Sequence, residues 1–134
     1  MVELLFQVLV VLLVVFWGAL IGSLAFLIYS DAAQRGSPRP VVHGVFGGLF
    51  LAYTLAYLVM RTNIGDRSTP VTRGERIAGT VWIAGFGSVI TGAVLSPPDP
   101  FTMIVYTFAG APAWLLVGYV AMGRDGWLYR LRQE

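Results

Sequence analysis

Four long apolar stretches are the feature that most constrains this chain. Each is close to the roughly 20 residues that an α-helix needs to cross about 30 Å of hydrocarbon. Of the 134 residues, 57% are hydrophobic and 12% are charged, whereas charged residues make up roughly a quarter of a soluble domain. The sequence therefore predicts an all-α fold, a single integral membrane bundle. Its four transmembrane helices are expected at residues 4–28, 41–60, 77–95 and 101–122, with an interfacial tail at 123–134.

Local signals mark where the predicted helices begin and end. Gly36 suits the left-handed conformation that often closes a helix, so the first helix should end before it. Thr72 and Glu75 have the spacing of a capping box, which predicts that the third helix starts near residue 73. Asp99 is a favourable N-cap and Pro100 a favourable first residue, so the fourth helix should begin there.

The arginines predict an orientation in the bilayer. All nine basic residues are arginines, and seven of them lie in the loop at 61–76 or in the tail at 123–134. Four crossings put both segments on one side, which the positive-inside rule assigns to the cytoplasm. The chain is thus expected in the plasma membrane with both termini cytoplasmic, although Arg35 and Arg39 would then lie outside. Such an excess orients helices, and no nucleic acid is expected as a partner.

The sequence gives no indication of chemistry inside the membrane. None of the four apolar stretches contains Asp, Glu, Lys or Arg, whereas proton relays and ion-coupled transporters need a buried ionisable group. The chain also has no cysteine, which excludes disulfides and cysteine-held metal clusters. Arg124-Asp125-Gly126 lacks the repeated acidic pattern of metal-dependent lipid transferases and is predicted to be a surface turn. We therefore expect neither an enzyme nor a metal site.

Three polar side chains in the second predicted helix are the candidates for binding a cofactor. His43 is the only histidine, and it could ligate haem, although bis-histidine ligation would need a second chain. Tyr53 and Tyr57 are spaced i and i+4 and could line a crevice for a quinone or another ligand. The alternative is an interfacial or capping histidine and two tyrosines that pack with their hydroxyls hydrogen-bonded. On that alternative the protein has no cofactor.

Small residues recur at the spacing of packed helix faces. Helices in lipid associate through close backbone approach and dispersion contacts, so small residues four apart mark contact faces. We expect them to pack within the chain or against a partner. They are Gly18 and Gly22 in the first helix, Gly44 and Gly48 in the second, and Thr80, Ala84, Ser88 and Gly92 in the third.

Residues 29–61 resemble a hairpin with the motif DAxxRG that occurs in many small archaeal and bacterial membrane proteins. The N-terminal membrane segment of phospholipase-D-like proteins contains it as well. The resemblance implies a membrane anchor and no chemistry. It is carried by Tyr29, Asp31, Ala32, Arg35, Gly36, Pro40, Tyr57 and Arg61.

Residues 76–103 resemble the last helical hairpin of the C-type subunit of the twin-arginine protein translocase. The likeness is carried by Gly92 and by the turn Ser96-Pro97-Pro98-Asp99-Pro100, and it implies that this turn lies outside the cell. The chain departs from that family in having about half the length. It also has Leu51-Ala52 after Phe50, where a membrane-embedded acidic residue is expected.

These observations favour a non-enzymatic membrane protein that works by packing against other chains. It would be an accessory, assembly or structural subunit of a larger membrane complex, or a homo-oligomer. One alternative is an electron-transfer anchor that binds haem or quinone through the residues named above. Another is an oligomeric channel or facilitator, in which the small-residue stripe of the third helix faces a wet lumen.

Overall fold

The computed structural model describes residues 1–123 and 126–134, and the regular elements in these ranges are all helical. Three of the helices, α1 (Val2–Gln34), α4 (Arg73–Leu95) and α5 (Pro100–Ala121), are long and apolar enough to cross a membrane. The predicted all-α membrane fold is confirmed at this level, while the surface turn predicted at 124–126 falls largely outside the described residues. The elements are α1 (Val2–Gln34), α2 (Pro40–Leu49), α3 (Leu51–Met60), a 3₁₀ turn (Arg61–Asn63), α4 (Arg73–Leu95), α5 (Pro100–Ala121) and α6 (Trp127–Gln133).

Helix α1 continues beyond the predicted end at residue 28. It runs to Gln34 and is about 50 Å long at 1.5 Å per residue, which exceeds the hydrocarbon thickness. Gly36 closes it with a φ of 74°, and the Ser37 amide donates to the Ala32 carbonyl over 3.0 Å. The extra turns form because Asp31 and Arg35 pair across one helical turn, so these charges do not end the helix.

The predicted starts of α4 and α5 are confirmed. Thr72 Oγ1 accepts from the Glu75 amide, and a Glu75 carboxylate oxygen accepts from the Thr72 amide, which completes the capping box. The Asp99 carboxylate accepts from the Thr102 amide over 2.8 Å. Hydrogen bonding with Thr102 lowers the pKa of Asp99. This cap therefore stabilises α5 at neutral pH, and its contribution is lost as the pH falls through that lowered pKa.

The prediction of one continuous helix over residues 41–60 is wrong. Phe50 adopts an extended conformation, with φ −126° and ψ 107°, and separates α2 from α3. The chain turns back there, since the Thr54 hydroxyl donates to the Gly47 carbonyl over 2.7 Å. The Tyr57 ring also lies 5.4 Å from the ring of His43, near the start of α2. We call residues 40–60 the re-entrant hairpin.

The re-entrant hairpin returns the chain to the end of α1 from which it started. Each of its helices has ten residues and is about 15 Å long, or half the hydrocarbon thickness. The segments on both sides of it meet, because Arg67 bonds to Asp31. The tail joins them, because Arg61 donates to the Leu131 carbonyl. Met1 lies at the opposite end of α1, whereas Arg132 of the tail bonds to the Leu27 carbonyl, so the described termini are at opposite ends of the bundle.

The described arginines all belong to the end of the bundle where these segments meet, which we call the arginine end. None of the described arginines lies beside Met1 or in the turn between α4 and α5, where Glu3 and Asp99 are found. The members of the arginine end are Arg35, Arg39, Arg61, Arg67, Arg73, Arg76, Arg130 and Arg132.

Close helix contacts hold the bundle together along its length. Helix α4 lies between α1 and α5. A Cβ added at Gly118 of α5 would lie 2.8 Å from the Thr80 carbonyl oxygen of α4, so these two backbones are in direct contact. On the other side of α4, a Cβ at Gly85 would lie 2.5 Å from the Leu20 side chain of α1. Dispersion contacts of this kind are what holds helices together in lipid.

We expect Gly48→Ala to destabilise the protein by about 1–3 kcal/mol, the usual range for an added methyl that moves a backbone. The new Cβ would lie 2.7 Å from the Ala25 Cβ and 3.1 Å from the Ile21 carbonyl oxygen, so α2 must shift away from α1. Denaturant unfolding in mild detergent, followed by circular dichroism, measures the loss.

Gly22→Ala is the matched control for this substitution. A Cβ at Gly22 meets no atom of the described residues within 4 Å, so only the helix propensity changes. That change favours alanine by roughly 0.5–1 kcal/mol. Equal effects of the two substitutions would contradict the packing of α2 on α1.

Candidate functional site

Buried charges at the arginine end form the densest polar arrangement in the described part of the chain. They come from the end of α1, the start of α4, the loop after the 3₁₀ turn and α6, and Tyr57 of α3 donates a hydrogen bond to one of them. The charges are brought together because the re-entrant hairpin returns the chain to the end of α1. We call the group the arginine–carboxylate cluster, and its members are Asp31, Arg35, Tyr57, Arg67, Glu75 and Arg132.

Asp31 is the first centre of the cluster, and its side chain is 1% exposed. Arg35 Nε donates to its Oδ2 over 3.0 Å, and the Tyr57 hydroxyl donates to the same oxygen over 2.8 Å. Arg67 Nη1 donates to Oδ1 over 3.1 Å. Asp31 therefore ties α1 to α3 and to the loop that follows the hairpin.

Glu75 is the second centre, and its side chain is fully buried at 0% exposure. Arg67 Nη2 donates to both of its carboxylate oxygens, over 2.8 and 2.7 Å. Arg132 Nη2 donates to Oε1 over 2.8 Å, and the Thr72 amide donates to Oε2. Because Arg67 contacts both Asp31 and Glu75, it joins the two centres into one network.

The pairing in the cluster indicates a structural role. Every carboxylate oxygen of Asp31 and Glu75 accepts at least one hydrogen bond from an arginine. Removing such charges from water carries a penalty of several kcal/mol per ion, which only close pairing offsets. Neither carboxylate has a free, solvated oxygen with which to act as a base. The cluster therefore holds segments of the chain together.

Backbone carbonyls extend the cluster to the tail and to the loop. Arg132 also donates to the Leu27 carbonyl over 2.6 Å, so α6 is attached to α1. Arg35 Nη1 donates to the Gly65 carbonyl over 3.0 Å. Burial lowers the pKa of the neighbouring Arg61 guanidinium, which nevertheless stays charged, because arginine is not deprotonated in proteins.

The three predicted cofactor residues lie close together on the re-entrant hairpin. His43 Nδ1 and the Tyr53 hydroxyl are 2.7 Å apart and hydrogen-bonded, and the His43 and Tyr57 rings are 5.4 Å apart. Tyr57 is buried, and its hydroxyl is bound to Asp31. The polar atoms that the sequence suggested for a ligand are thus largely engaged within the chain.

The predicted small-residue stripes have different surroundings. Gly44 and Gly48 of α2 lie against Tyr29 and Ala25 of α1. By contrast, a Cβ at Gly18 or at Gly22 would meet no atom of the described residues within 4 Å.

The small-residue stripe of α4 packs against α5. Thr80 lies against Gly118, and Gly92 lies against Thr107. Ala84 and Ser88, on the same face of α4, are buried. This stripe therefore packs within the chain over its whole length.

The cluster could not be found by searching the apolar stretches for charges. Its charged members lie outside those stretches, in sequence regions that are typical of helix caps, loops and the tail. Two signals were present, namely the i, i+4 spacing of Asp31 and Arg35 within the DAxxRG motif and the capping-box glutamate. Each has a sufficient local explanation, so neither predicted a long-range contact.

Comparisons with known proteins add nothing to this geometry. No protein-family model, curated protein or solved structure matches the chain. The resemblances of residues 29–61 and 76–103 therefore stay expectations, and function has to be argued from the contacts described above.

Proposed function

We propose that this chain is a non-enzymatic membrane protein that works by packing against other membrane chains, as an accessory, assembly or structural subunit or as a homo-oligomer. The observation that carries the proposal is the uncovered tip of the re-entrant hairpin. With the arginine end at the membrane surface, helices of about 15 Å bring this tip to the middle of the bilayer.

The backbone is incompletely hydrogen-bonded at this tip. Among the described residues no side chain caps α3, and the first intrahelical bond runs from the Thr54 amide to the Phe50 carbonyl. The amides that precede Thr54 in α3 have no acceptor within the helix. The three residues at the tip are nevertheless exposed: Leu49 is 60%, Phe50 56% and Leu51 45% accessible.

An uncapped helix end in hydrocarbon is unfavourable unless protein or water contacts it. Unsatisfied backbone groups cost several kcal/mol each in lipid, so irregular backbone at that depth is found against protein or against a water-filled cavity. Leu49, Phe50 and Leu51 are all apolar, which favours contact with protein over contact with water. A second membrane chain at the tip provides such a contact.

The face of α1 beside the tip is suited to such a contact. Helix α2 contacts Ile21, Ala25 and Tyr29 of α1 and ends at Leu49. The residues two helical turns earlier lie on the same face. These are Val14, Gly18 and Gly22, which are exposed, and the two glycines allow a partner helix to approach the backbone closely.

We further propose that the arginine end faces the cytoplasm of the plasma membrane and that the N-terminus lies outside. Three spans and a re-entrant hairpin put the eight described arginines on one side, whereas four spans separate Arg35 and Arg39 from the rest. The positive-inside rule is then satisfied without exception among the described residues.

The association is tested by purifying the full chain from native membranes in mild detergent at low protein load. Native mass spectrometry identifies self-association or a co-purifying membrane protein. The paired substitution Gly18→Leu and Gly22→Leu is expected to reduce the associated fraction on the order of tenfold, because it blocks close approach of helices. Its effect on the fold of the monomer should be small, since neither glycine has a neighbour there.

Ala109→Leu provides the matched control, because Ala109 is exposed on α5, away from this face. It adds the same kind of bulk and should leave the association unchanged. A strictly monomeric chain without any co-purifying protein would contradict the proposal. A loss of association in Ala109→Leu equal to that of the paired glycine substitution would contradict it as well.

The two alternatives have weaker support. Haem would find only Nε2 of His43, since Nδ1 is bonded to Tyr53, and an absorption spectrum without a Soret band would remove this alternative. A channel lined by the Thr80 to Gly92 stripe would require that stripe to face water, whereas it lies against α5.

A further inference from the structure

A groove of about 1180 Å³ opens between α4, α5 and α6 at the arginine end. It is separate from the arginine–carboxylate cluster and from the hairpin tip, since it shares no residue with either. The wall of the groove at the arginine end is cationic. The wall that continues toward the middle of the bundle is formed by apolar side chains of α4 and α5. The combination of a cationic wall and an apolar wall distinguishes this groove from an ordinary surface depression.

The cationic wall is built by Arg73 and Arg76 of α4 and by Arg130 of α6. Arg73 and Arg76 lie in the first turn of a helix of 23 residues, where the helix dipole also favours an anion. Arg76 Nε is buried and has no hydrogen-bond partner among the described residues. Arg76 is half-buried at the groove, and no carboxylate of the described residues forms a salt bridge with it, so its positive charge is available to an anion there.

The apolar wall continues from the arginines toward the bilayer. Ile77, Val81 and Leu115 line it, and Val81 lies about 7.5 Å further along the helix axis than Arg76 at 1.5 Å per residue. A free anion would use the arginines alone and leave these side chains without a role. A lipid would contact both walls at once.

We propose that this groove binds the phosphate-bearing headgroup of an anionic phospholipid, with an acyl chain along Ile77, Val81 and Leu115. Basic pockets between transmembrane helices at the cytoplasmic surface are suited to such headgroups. Guanidinium groups bind phosphate oxygens through charge-assisted hydrogen bonds. The inference requires the chain to lie in a bilayer but does not depend on its association with another chain.

The test is native mass spectrometry of the full chain released from mixed micelles of phosphatidylglycerol and phosphatidylcholine. We expect one phosphatidylglycerol to be retained per chain, in preference to phosphatidylcholine. Arg76→Gln should lower that occupancy on the order of tenfold, the loss expected for a hydrogen bond to a charged group. Because Arg76 makes no side-chain bond to the described residues that would be lost, circular dichroism should show an intact fold.

Arg39→Gln is the matched control, since it removes an exposed arginine of the same end that lies outside the groove. Retention of phosphatidylglycerol should be unchanged in this variant. Equal retention of the two lipids, or equal loss in the two variants, overturns the site. A large excess of inorganic phosphate should fail to displace the lipid; full displacement overturns the assignment to lipid in favour of a free anion.

Discussion

Glu75→Gln is expected to lower the free energy of unfolding by about 3–5 kcal/mol, the range for removing one partner of a buried ion pair. Glutamine has nearly the same shape and, at this position of a capping box, still reaches the N-cap amide. What disappears is the negative charge that neutralises Arg67 and Arg132, both of which are largely buried. The loss therefore measures the charge pairing and not the cap. Denaturant titration in mild detergent, followed by circular dichroism, gives the difference.

Glu3→Gln serves as the control for this substitution. Glu3 is exposed in the first turn of α1, at the end of the bundle opposite the cluster. Its neutralisation should change stability by less than about 0.5 kcal/mol, as is usual for surface sites. A Glu75→Gln protein as stable as the Glu3→Gln protein would mean that the carboxylate does not hold the arginine end together.

Single-cysteine labelling should place residues 38 and 66 in one aqueous compartment and residues 2 and 98 in the other. The natural chain has no cysteine, so Val2→Cys, Pro38→Cys, Asp66→Cys and Pro98→Cys each introduce one reactive thiol at an exposed position. A membrane-impermeant maleimide applied to intact cells should label positions 2 and 98 almost completely. Positions 38 and 66 should react only after the cells are opened, because the arginine end is expected in the cytoplasm.

The same four variants distinguish the re-entrant hairpin from a fourth span. If residues 41–60 crossed the bilayer, position 38 would be labelled together with position 98, and position 2 would be protected together with position 66. That pattern would refute the topology proposed here. Labelling of positions 38 and 66 from outside, with 2 and 98 protected, would keep the hairpin but reverse the orientation.

The cluster and the hairpin depend on each other. Tyr57 reaches Asp31 only because α3 returns to the end of α1. The bonds of Arg67 to Asp31 and Glu75 then keep the segment after the hairpin at that end. With this end of the hairpin tied down, the tip at Phe50 is the part left for a partner to cover. The stability prediction therefore tests the contacts that hold the base of the hairpin, and the association test examines the surface beside its tip.

Much of the helical framework follows from short-range signals. The spans of α1, α4 and α5 are apparent from apolar length, because a helix satisfies its own backbone in lipid whatever its neighbours are. The starts of α4 and α5 are equally local, because Thr72 bonds to Glu75 and Asp99 bonds to Thr102 within one turn. Gly36 ends α1 for a similar reason, since its positive φ is a property of a single residue.

The break in the second apolar stretch was decided by side-chain contacts across the hairpin and to α1. Leu49-Phe50-Leu51 contains no proline or glycine, so nothing at the break itself distinguishes it from a continuous apolar helix. The reversal is stabilised by Thr54 on Gly47, by Tyr53 on His43 and by Tyr57 on Asp31. A hydropathy count registers how apolar a segment is, but it carries no information on which side chain lies opposite which.

Hydropathy gives no information on the buried charges either, because their burial depends on which side chains lie opposite them. From the sequence alone, the chain is an all-helical membrane protein whose helix ends are capped and whose arginines are segregated. Only the tertiary structure brings two carboxylates and three arginines from four segments into one buried network. Burying an ion is favourable only once its partners are in place, and those partners are up to 57 residues apart in the chain.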